Sequence, residues 1–513
     1  MHILSKSTFM RGSQCHKSLW MHKHQPSARD PLSPEQRAIF ERGRRVGVLA
    51  RELFPGGVDA SPPNPFHYAR AVALTSRLVA EGTEVVYEAA FLHQRVLAAM
   101  DILVRTKGGY KAFEVKSSTS ITETYLLDAA LQYWVITGSG LPLVDISIIH
   151  VNSAYRREGK LDLLRLFTGR SVLAEVLERR SLVSTRVAEL TRVARARQMP
   201  AVEIGPHCAN PYPCDFMGYC WRKVPEYSVF DIARLGEEAK FELYRRGFTN
   251  VKEVPGDWPL SERQRLQVDA ERTGEGVIEV GAIEEFLSTI RYPLCFLDFE
   301  TIQPAVPLFD RSRPYQQIPF QFSAHACENP GTALTHVEFL AEPGPDPRPA
   351  FLAALLAATE RTVARGGTVL AYNQSFECGR LEELAEDFPE QANALQPLHA
   401  SFVDLMDPFQ RFDYYLPSMR GSYSLKSVLP ALAPELSYDR LEIRDGGAAG
   451  RAFESLFDEV DPARKQRIRR ELLSYCALDT LALVQILDVL LAAVGRPRNL
   501  DLTKGGKRGT FEA

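Results

Sequence analysis

Acidic side chains recur on strand-like segments in two separate parts of the chain. In the first part, Glu88, Asp101 and Glu114 stand on three successive segments of this kind, and Lys116 follows Glu114 by two positions. Because side chains alternate across a strand, Glu114 and Lys116 should share one face. Two carboxylates on neighbouring strands can hold Mg²⁺ or Mn²⁺, and a lysine beside them can stabilise charge on a reacting phosphate. The pattern therefore indicates a candidate divalent-metal site with a lysine beside it.

The second group lies in the C-terminal half of the chain. Its members are four carboxylates and a tyrosine: Asp298, Glu300, Glu377, Tyr475 and Asp479. Asp298 and Glu300 lie two apart on an apolar strand-like segment and should share a face. Tyr475 and Asp479 lie one turn apart on an amphipathic helix. Four carboxylates can hold two divalent ions about 3.5–4 Å apart.

Three cysteines are evenly spaced in a stretch that is rich in proline and aromatic residues. Cys208, Cys214 and Cys220 have five residues between neighbours, and Cys15 lies near the start of the chain. Four thiolates can hold a tetrahedral Zn²⁺ or an iron–sulfur cluster. Such a site would close residues 15–220 into one domain. The alternative is a loop with three unrelated buried thiols.

The composition is that of an ordinary globular protein, with 45% apolar and 24% charged residues among 513. This length predicts two or three domains. The net charge of −3 excludes a globally basic protein, so contacts with nucleic acid would need local basic grooves. The first residues lack the features of a secretory signal, which favours a cytoplasmic protein without membrane contact. In that compartment, eight cysteines favour a metal site and buried thiols over disulfides.

Other segments predict helices and a tail. Ser33 and Gln36 form the signature of a capping box and predict a helix that begins there. Residues 226–285 predict several short helices, which form either a linker or a small module similar to helix-hairpin-helix domains. Modules of that kind bind the phosphate backbone. Residues 496–513 are expected to be a disordered tail.

The first group of acids resembles the RecB-type, or PD-(D/E)xK, nucleases. The resemblance rests on the order of Glu88, Asp101, Glu114 and Lys116, followed by a helix that carries Gln132, and it covers residues 1–222. One early and three later cysteines are similar to the iron–sulfur branch of that family, which includes CRISPR-associated adaptation nucleases and the AddB-type nuclease domain. The resemblance implies a 4Fe-4S cluster rather than Zn²⁺, and a divalent ion on Asp101 and Glu114. It also implies that the centre cleaves DNA, that Lys116 is a catalytic residue, and that Glu88 and Gln132 support the catalysis.

Two departures from that family concern the metal shell. Gly47 stands near the position at which the iron–sulfur branch usually has a metal-binding histidine. Ile136 stands where the Gln-x-x-x-Tyr motif has its tyrosine. Both departures predict that fewer side chains surround the metal ion than in the family, and that Glu88 is more important for the site.

The second group of acids resembles the DEDD exonuclease superfamily of the RNase H-like fold, in its tyrosine subgroup. The resemblance implies that Asp298, Glu300, Glu377 and Asp479 bind Mg²⁺ or Mn²⁺. It also implies that Tyr475 orients the attacking water and that nucleotides are removed from 3′ ends.

One position departs from the superfamily pattern. Glu377 stands where these enzymes usually have aspartate, and its longer side chain predicts a looser metal site. Asp404 is a spare acid in the same region and the alternative ligand. The spacing from Asn373 favours Glu377.

As a whole, the chain resembles the bacterial family called domain of unknown function 2779, in which an iron–sulfur RecB-like half and a DEDD-like half share one polypeptide. We therefore expect an α/β protein with a restriction-endonuclease-like PD-(D/E)xK domain and its iron–sulfur clasp over residues 1–225. The small helical module would follow over residues 226–285 and an RNase H-like domain over residues 286–495.

The expected function is that of a metal-dependent nuclease with two active centres. It would process single-stranded or duplex DNA ends in repair, CRISPR-type processing or defence. The chain has no Walker A pattern, so unwinding would require a separate helicase. The alternatives are a nucleic-acid-binding scaffold with one or both centres inactive, and an RNA-processing exonuclease, because DEDD folds act on both RNA and DNA.

Overall fold

The structure is a computed structural model that describes residues 3–64, 67–438 and 441–497. The predicted tail lies outside the described residues from position 498 onward. The chain divides into two compact units. The first unit comprises Met1–Val224 and Pro304–Tyr315, and the second comprises Pro225–Gln303 and Gln316–Ala513. Both are mixed α/β, which agrees with the expected α/β class.

The first unit is built around one seven-stranded sheet. Its strands are β1 Leu4–Ser5, β2 Val58–Asp59, β3 Val85–His93, β4 Val96–Thr106, β5 Gly109–Lys116, β6 Leu143–Val151 and β7 Phe167–Ser171. Its helices are α1 Lys6–Gln14, α2 His16–His24, α3 Pro34–Ala50, α4 Tyr68–Glu81, α5 Glu123–Gly138, α6 Leu163–Leu166, α7 Leu173–Glu178, α8 Arg180–Arg195 and α9 Met217–Cys220.

The order of strands in this sheet places the first group of acids side by side. Strands β2 to β7 lie in sequence order, and β1 pairs with β4. Strand β4 is antiparallel to both β3 and β5, while β5 is parallel to β6. Helix α3 begins as predicted, because Ser33 and Gln36 form the capping box. Helix α5 packs on the sheet through apolar residues such as Leu131 and Val135, which are fully buried.

The second unit contains a five-stranded sheet and a two-stranded ribbon. Its strands are β8 Val277–Ile278, β9 Leu294–Ile302, β10 Ile318–Cys327, β11 Thr335–Leu340, β12 Thr368–Ala371, β13 Phe402–Asp404 and β14 Tyr414–Tyr415. Its helices are α10 Glu237–Arg245, α11 Glu262–Thr273, α12 Val280–Ser288, α13 Arg348–Ala364, α14 Ser375–Asp387, α15 Ala392–Ala400, α16 Asp407–Arg411, α17 Leu425–Leu432, α18 Gly446–Ser455 and α19 Pro462–Ala493.

The five-stranded sheet has the order β11-β10-β9-β12-β13. Strand β10 is antiparallel to both of its neighbours, β11 and β9, and β12 and β13 run parallel to β9. Strand β9 is therefore central and is buried along nearly its whole length. The helices predicted over residues 226–285 are α10, α11 and α12, and they belong to this unit.

Helix α19 is long and apolar enough to cross a membrane by length and composition. In the fold, however, 67% of its most apolar stretch is buried, as in the core helix of a soluble protein. Asp479 and Asp488 interrupt the apolar run, and both are buried inside the unit.

Candidate metal centres

The C-terminal centre forms where β9 meets α19. Asp298 and Glu300 lie on β9, and Asp479 lies on α19. One oxygen from each of these three carboxylates lies within 4.8 Å of the other two. Within residues 3–64, 67–438 and 441–497, no other trio of His, Cys, Asp or Glu side chains comes this close. This spacing suits a shared divalent ion, because Mg²⁺ and Mn²⁺ prefer carboxylate oxygens.

The three carboxylates repel one another. Burial and the neighbouring charge of Asp479 raise the pKa of both Asp298 and Glu300 well above their ordinary values. Burial also raises the pKa of Asp479 to about 6. The positive charge of Lys426, on α17, opposes the rise in the pKa of Glu300. Because one lysine faces several buried acids, the site favours the binding of further cations.

Glu377 lies outside the close trio, in the first turn of α14. The side chain is buried, and its charge acts on Asp298. Burial raises the pKa of Glu377 to about 8, although the backbone N–H groups of Glu377 and Phe299 donate to its carboxylate. Its Oε2 atom is buried and has no hydrogen-bond partner among the described residues. Glu377 therefore keeps one carboxylate oxygen available for a metal-bound water or an ion.

Asp404, the alternative acid, is already engaged. Its Oδ1 atom accepts from the backbone N–H groups of Asn373 and Met406 at 2.8 and 3.0 Å, and its Oδ2 accepts from Gln374 at 3.0 Å. These bonds fix the turn that leads into α14. Asp404 thus positions the start of the Glu377 helix, and its charge adds to the rise in the pKa of Glu377.

Two tyrosines donate to Asp479. The Tyr438 hydroxyl donates to Asp479 Oδ1 at 2.5 Å, and Tyr475, one turn before Asp479, also donates to its carboxylate. The two tyrosine rings lie 6.1 Å apart. Tyr475 was predicted from its helical spacing, whereas Tyr438 was not, because it lies 41 residues before Asp479 and belongs to no motif. The buried Sγ of Cys476 also lies 3.5 Å from Asp298 Oδ2.

The N-terminal centre forms across β3, β4, β5 and α5. Glu114 is buried, and Gln132 Nε2 donates to its Oε2 at 2.8 Å. Lys116 Nζ lies 2.7 Å from Glu114 Oε1 and 2.7 Å from an oxygen of Asp128, on α5. Asp101 Oδ2 accepts from the backbone N–H of Val115 at 2.6 Å. The predicted residues of this centre thus lie together on one face of the sheet.

Glu88 is the most loosely connected member of the N-terminal centre. Its backbone adopts a left-handed φ of 51°, and it interrupts the regular pairing of β3 with β4. Arg51 holds its carboxylate at 2.9 Å and also pairs with Asp59 at 2.7 Å. Burial raises the pKa of Glu88, and Arg51 opposes that rise.

The charges of the N-terminal centre are largely paired within the protein. Lys6, at the start of α1, places its Nζ 2.7 Å from Glu114 Oε1. Burial opposes ionisation of Glu114, but Lys116 and Lys6 hold its pKa below the ordinary value. At Asp101, burial followed by the charge of Glu114 raises the pKa to about 8, although the charge of Lys6 opposes that rise. Lys6 was not predicted as a member of this centre, because it lies 108 residues before Glu114 in the chain.

The two departures from the nuclease pattern have visible consequences. A Cβ atom at Gly47 would meet nothing within 4 Å among the described residues, so open space borders the position at which the iron–sulfur branch usually has a histidine. Arg51 lies four residues after Gly47, in the short helical turn that follows α3, and forms a salt bridge with Glu88. Ile136 is fully buried in the core of the first unit.

The four cysteines line one cavity of about 340 Å³, which includes its solvent-open part. Cys15 caps the end of α1 and Cys220 is the last residue of α9, while Cys208 and Cys214 lie in the segment between α8 and α9. All are free thiols. Although all four belong to the described part of the chain, no three of their Sγ atoms lie within 4.8 Å of one another. Burial raises the pKa of the Cys15 and Cys220 thiols.

Helix α1 is tied to the cysteine loop at several points. Arg11 donates to Asp215 at 2.9 Å, next to Cys214 in sequence. The Gln14 amide donates to the carbonyl oxygens of His207 and Tyr212, each at 2.7 Å. These bonds hold the first cysteine against the segment that carries the other three.

Comparisons with known proteins cover part of the chain. Residues 295–424 match a family model described as a domain of unknown function, DUF2779. An uncharacterized protein of Ureaplasma parvum serovar 3, UU173, is 23% identical over 229 residues, which is 40% of this chain. The match covers 32% of that relative, so the chain spans about a third of its length. The matched family segment contains Asp298, Glu300 and Glu377. The DUF2779 match agrees with the family resemblance that was stated from the sequence.

Proposed function

We propose that this chain is a metal-dependent nuclease whose C-terminal centre removes nucleotides from 3′ ends of DNA. The observation that carries the proposal is the trio Asp298, Glu300 and Asp479, whose oxygens lie within 4.8 Å of one another in a largely buried site. Buried carboxylates this close cannot all be ionised without a cation between them. Hydrolysis of phosphodiester bonds is a reaction for which such acidic metal sites are used.

The residues of the C-terminal centre have separate roles in this proposal. Asp298, Glu300 and Asp479 hold the divalent ions, and Glu377 contributes its unpaired oxygen. Bound Mg²⁺ or Mn²⁺ would activate water and neutralise charge on the phosphate. Tyr475 orients the attacking water from its position one helical turn before Asp479. The three antiparallel strands and two parallel strands around β9 support an RNase H-like arrangement of these residues.

The N-terminal centre is proposed as a PD-(D/E)xK nuclease site. Asp101 and Glu114 hold the divalent ion, and Lys116 stabilises charge on the phosphate, with Glu88 and Gln132 in support. A second candidate for this half is a nucleic-acid-binding scaffold without activity. That alternative is favoured by the pairing of Glu88 with Arg51 and of Glu114 with two lysines.

The cysteine site is proposed to hold an iron–sulfur cluster instead of a single zinc ion. A tetrahedral Zn²⁺ with Zn–S bonds of about 2.3 Å brings each pair of sulfurs to within about 4 Å. The wider separation of the four Sγ atoms around one cavity suits a larger group. Cys15, Cys208, Cys214 and Cys220 would hold a 4Fe-4S cluster, which would tie the two ends of the first unit together. A cytoplasmic location suits the free thiols.

The proposal is tested by Mn²⁺ binding to the full-length protein, measured by titration calorimetry. Asp298→Ala should remove the ions of the C-terminal centre and the release of nucleotides from a 3′-labelled oligonucleotide. Asp458→Ala changes an exposed aspartate of the same unit and serves as the matched control. Unchanged Mn²⁺ binding in Asp298→Ala would contradict the proposal. The same assay with an RNA oligonucleotide separates an RNA-processing enzyme from a DNA-processing one.

A further inference from the structure

Lys6 is a second lysine in the N-terminal centre, and no motif predicted it. It occupies the first position of α1, where Ser5 and Thr8 form a capping box that fixes the start of the helix. Its Nζ lies 2.7 Å from Glu114 Oε1, and Lys116 Nζ lies 2.7 Å from the same oxygen. One carboxylate oxygen therefore accepts from two ammonium groups.

The two lysines are held to different degrees. Lys116 also bonds to Asp128 at 2.7 Å, and its Nζ lies 5.0 Å from the centre of the Tyr125 ring. Its side chain is 16% exposed. Lys6 lies 3.6 Å from Asp128, and its side chain is 31% exposed. Because Lys6 has the weaker second contact and the greater exposure, it can leave Glu114 more easily than Lys116 can.

Other carboxylate oxygens of this centre also accept hydrogen bonds. Gln132 donates to Glu114 Oε2, and Val115 donates to Asp101 Oδ2. An ion between Asp101 and Glu114 needs lone pairs from both carboxylates. At Glu114 Oε1, the two ammonium groups already use the lone pairs. A divalent ion and Lys6 therefore compete for the same atom.

We propose that Lys6 is the built-in counter-ion of Glu114 and that a divalent ion loads the N-terminal centre by displacing it. The inference rests on the proposed nuclease function of this half of the chain. Once displaced, Lys6 remains attached to the first turn of α1 beside the centre. Its ammonium group is then free to pair with a phosphate of the nucleic acid.

The first test is Mn²⁺ affinity in full-length protein that also carries Asp298→Ala, so that the C-terminal centre is silent. Free Mn²⁺ is followed by electron paramagnetic resonance. Lys6→Met should tighten Mn²⁺ binding by roughly tenfold or more, because a positive charge a few ångströms from the ion is lost. Lys6→Arg keeps the charge and should leave the affinity near that of the parent protein. Lys111→Met, an exposed lysine on the same strand as Glu114, is the matched control.

The outcomes separate this inference from the proposed function. Equal Mn²⁺ affinity in the parent protein and in the Lys6→Met protein would overturn the competition and leave the metal site intact. Weaker binding in the Lys6→Met protein would also overturn it, because Lys6 would then position Glu114 for the ion. No Mn²⁺ binding in either protein would overturn both the inference and the nuclease role of the N-terminal centre, while the C-terminal centre is tested separately through Asp298.

The second test uses the wild-type chain, so it does not depend on how a variant folds. An amine-reactive acylating reagent is applied with and without Mn²⁺, and modified lysines are quantified by mass spectrometry. Mn²⁺ should raise the modification of Lys6 several-fold while Lys116, which keeps its bond to Asp128, stays protected. Unchanged or reduced modification of Lys6 in Mn²⁺-loaded protein would overturn the displacement.

Discussion

Replacing Glu377 with glutamine should stabilise the metal-free protein at neutral pH. Burial raises the pKa of Glu377 from 4.5 to about 8, so the folded protein holds a proton that the unfolded chain releases. Stability from this group is therefore fully present below pH 4.5 and is lost as the pH rises toward 8. Glutamine resembles the protonated carboxyl and has no proton to release.

The size of the effect follows from the two pKa values. Each pH unit above 4.5 lowers the free energy of unfolding by about 1.4 kcal/mol, so the loss at pH 7 is about 3 kcal/mol. Glu377→Gln should avoid this loss and should melt about 6 °C higher than the wild type at pH 7. Near pH 4.5 the two proteins should melt together. Mn²⁺ should reverse the order, because the wild-type carboxylate can then ionise against a cation.

The assay is thermal unfolding of the full-length chain in EDTA and in Mn²⁺, at an acidic and a neutral pH. Glu386→Gln, at an exposed position of the same helix, is the matched control and should show no such pH dependence. Equal melting temperatures of Glu377→Gln and wild type in EDTA at neutral pH would refute the reasoning. A gain of the same size at both pH values would indicate a packing effect instead of a charge effect.

Three further predictions concern the other sites. Cys208→Ser should remove the iron from anaerobically purified protein and lower the melting temperature of the first unit alone; full iron content by elemental analysis would contradict the ligand assignment. Lys116→Met, in an Asp298→Ala background, should abolish the Mn²⁺-dependent cleavage of single-stranded DNA that remains, and cleavage at the parent rate would exclude Lys116. Tyr438→Phe removes a donor that lowers the pKa of Asp479, so that pKa should rise and the pH of half-maximal Mn²⁺ binding should move upward by about one unit. An unchanged pH profile would mean that the Tyr438 hydroxyl does not act on Asp479.

Local sequence patterns predicted those features that depend on neighbours in the chain. Ser33 and Gln36 indicated the start of α3, and the capping box is present there. Strand alternation placed Glu114 and Lys116 on one face, and the structure brings their side chains to 2.7 Å. Helical spacing likewise placed Tyr475 beside Asp479.

Features that depend on long-range contacts could not be predicted from a single sequence. Lys6 reaches Glu114 only because β1 pairs with β4 and brings α1 to the centre. Tyr438 reaches Asp479 from a loop without a recognisable motif. Residues 304–315, which come shortly after β9, belong to the first unit, although the residues on both sides of them belong to the second. No change of composition marks the two points at which the chain passes from one unit to the other. The role of Asp404 depends on backbone N–H groups, which every residue type except proline carries.

The most direct test of the central claim is nucleotide release from the 3′ end of a labelled single-stranded oligonucleotide in Mn²⁺. The substrates are incubated with full-length protein that carries Lys116→Met, and with the same protein that also carries Asp298→Ala. The account predicts stepwise release of mononucleotides by the first protein and none by the second, with both proteins equally folded by thermal unfolding. Equal release by both proteins, or no release by either, would contradict a catalytic centre built on Asp298, Glu300 and Asp479.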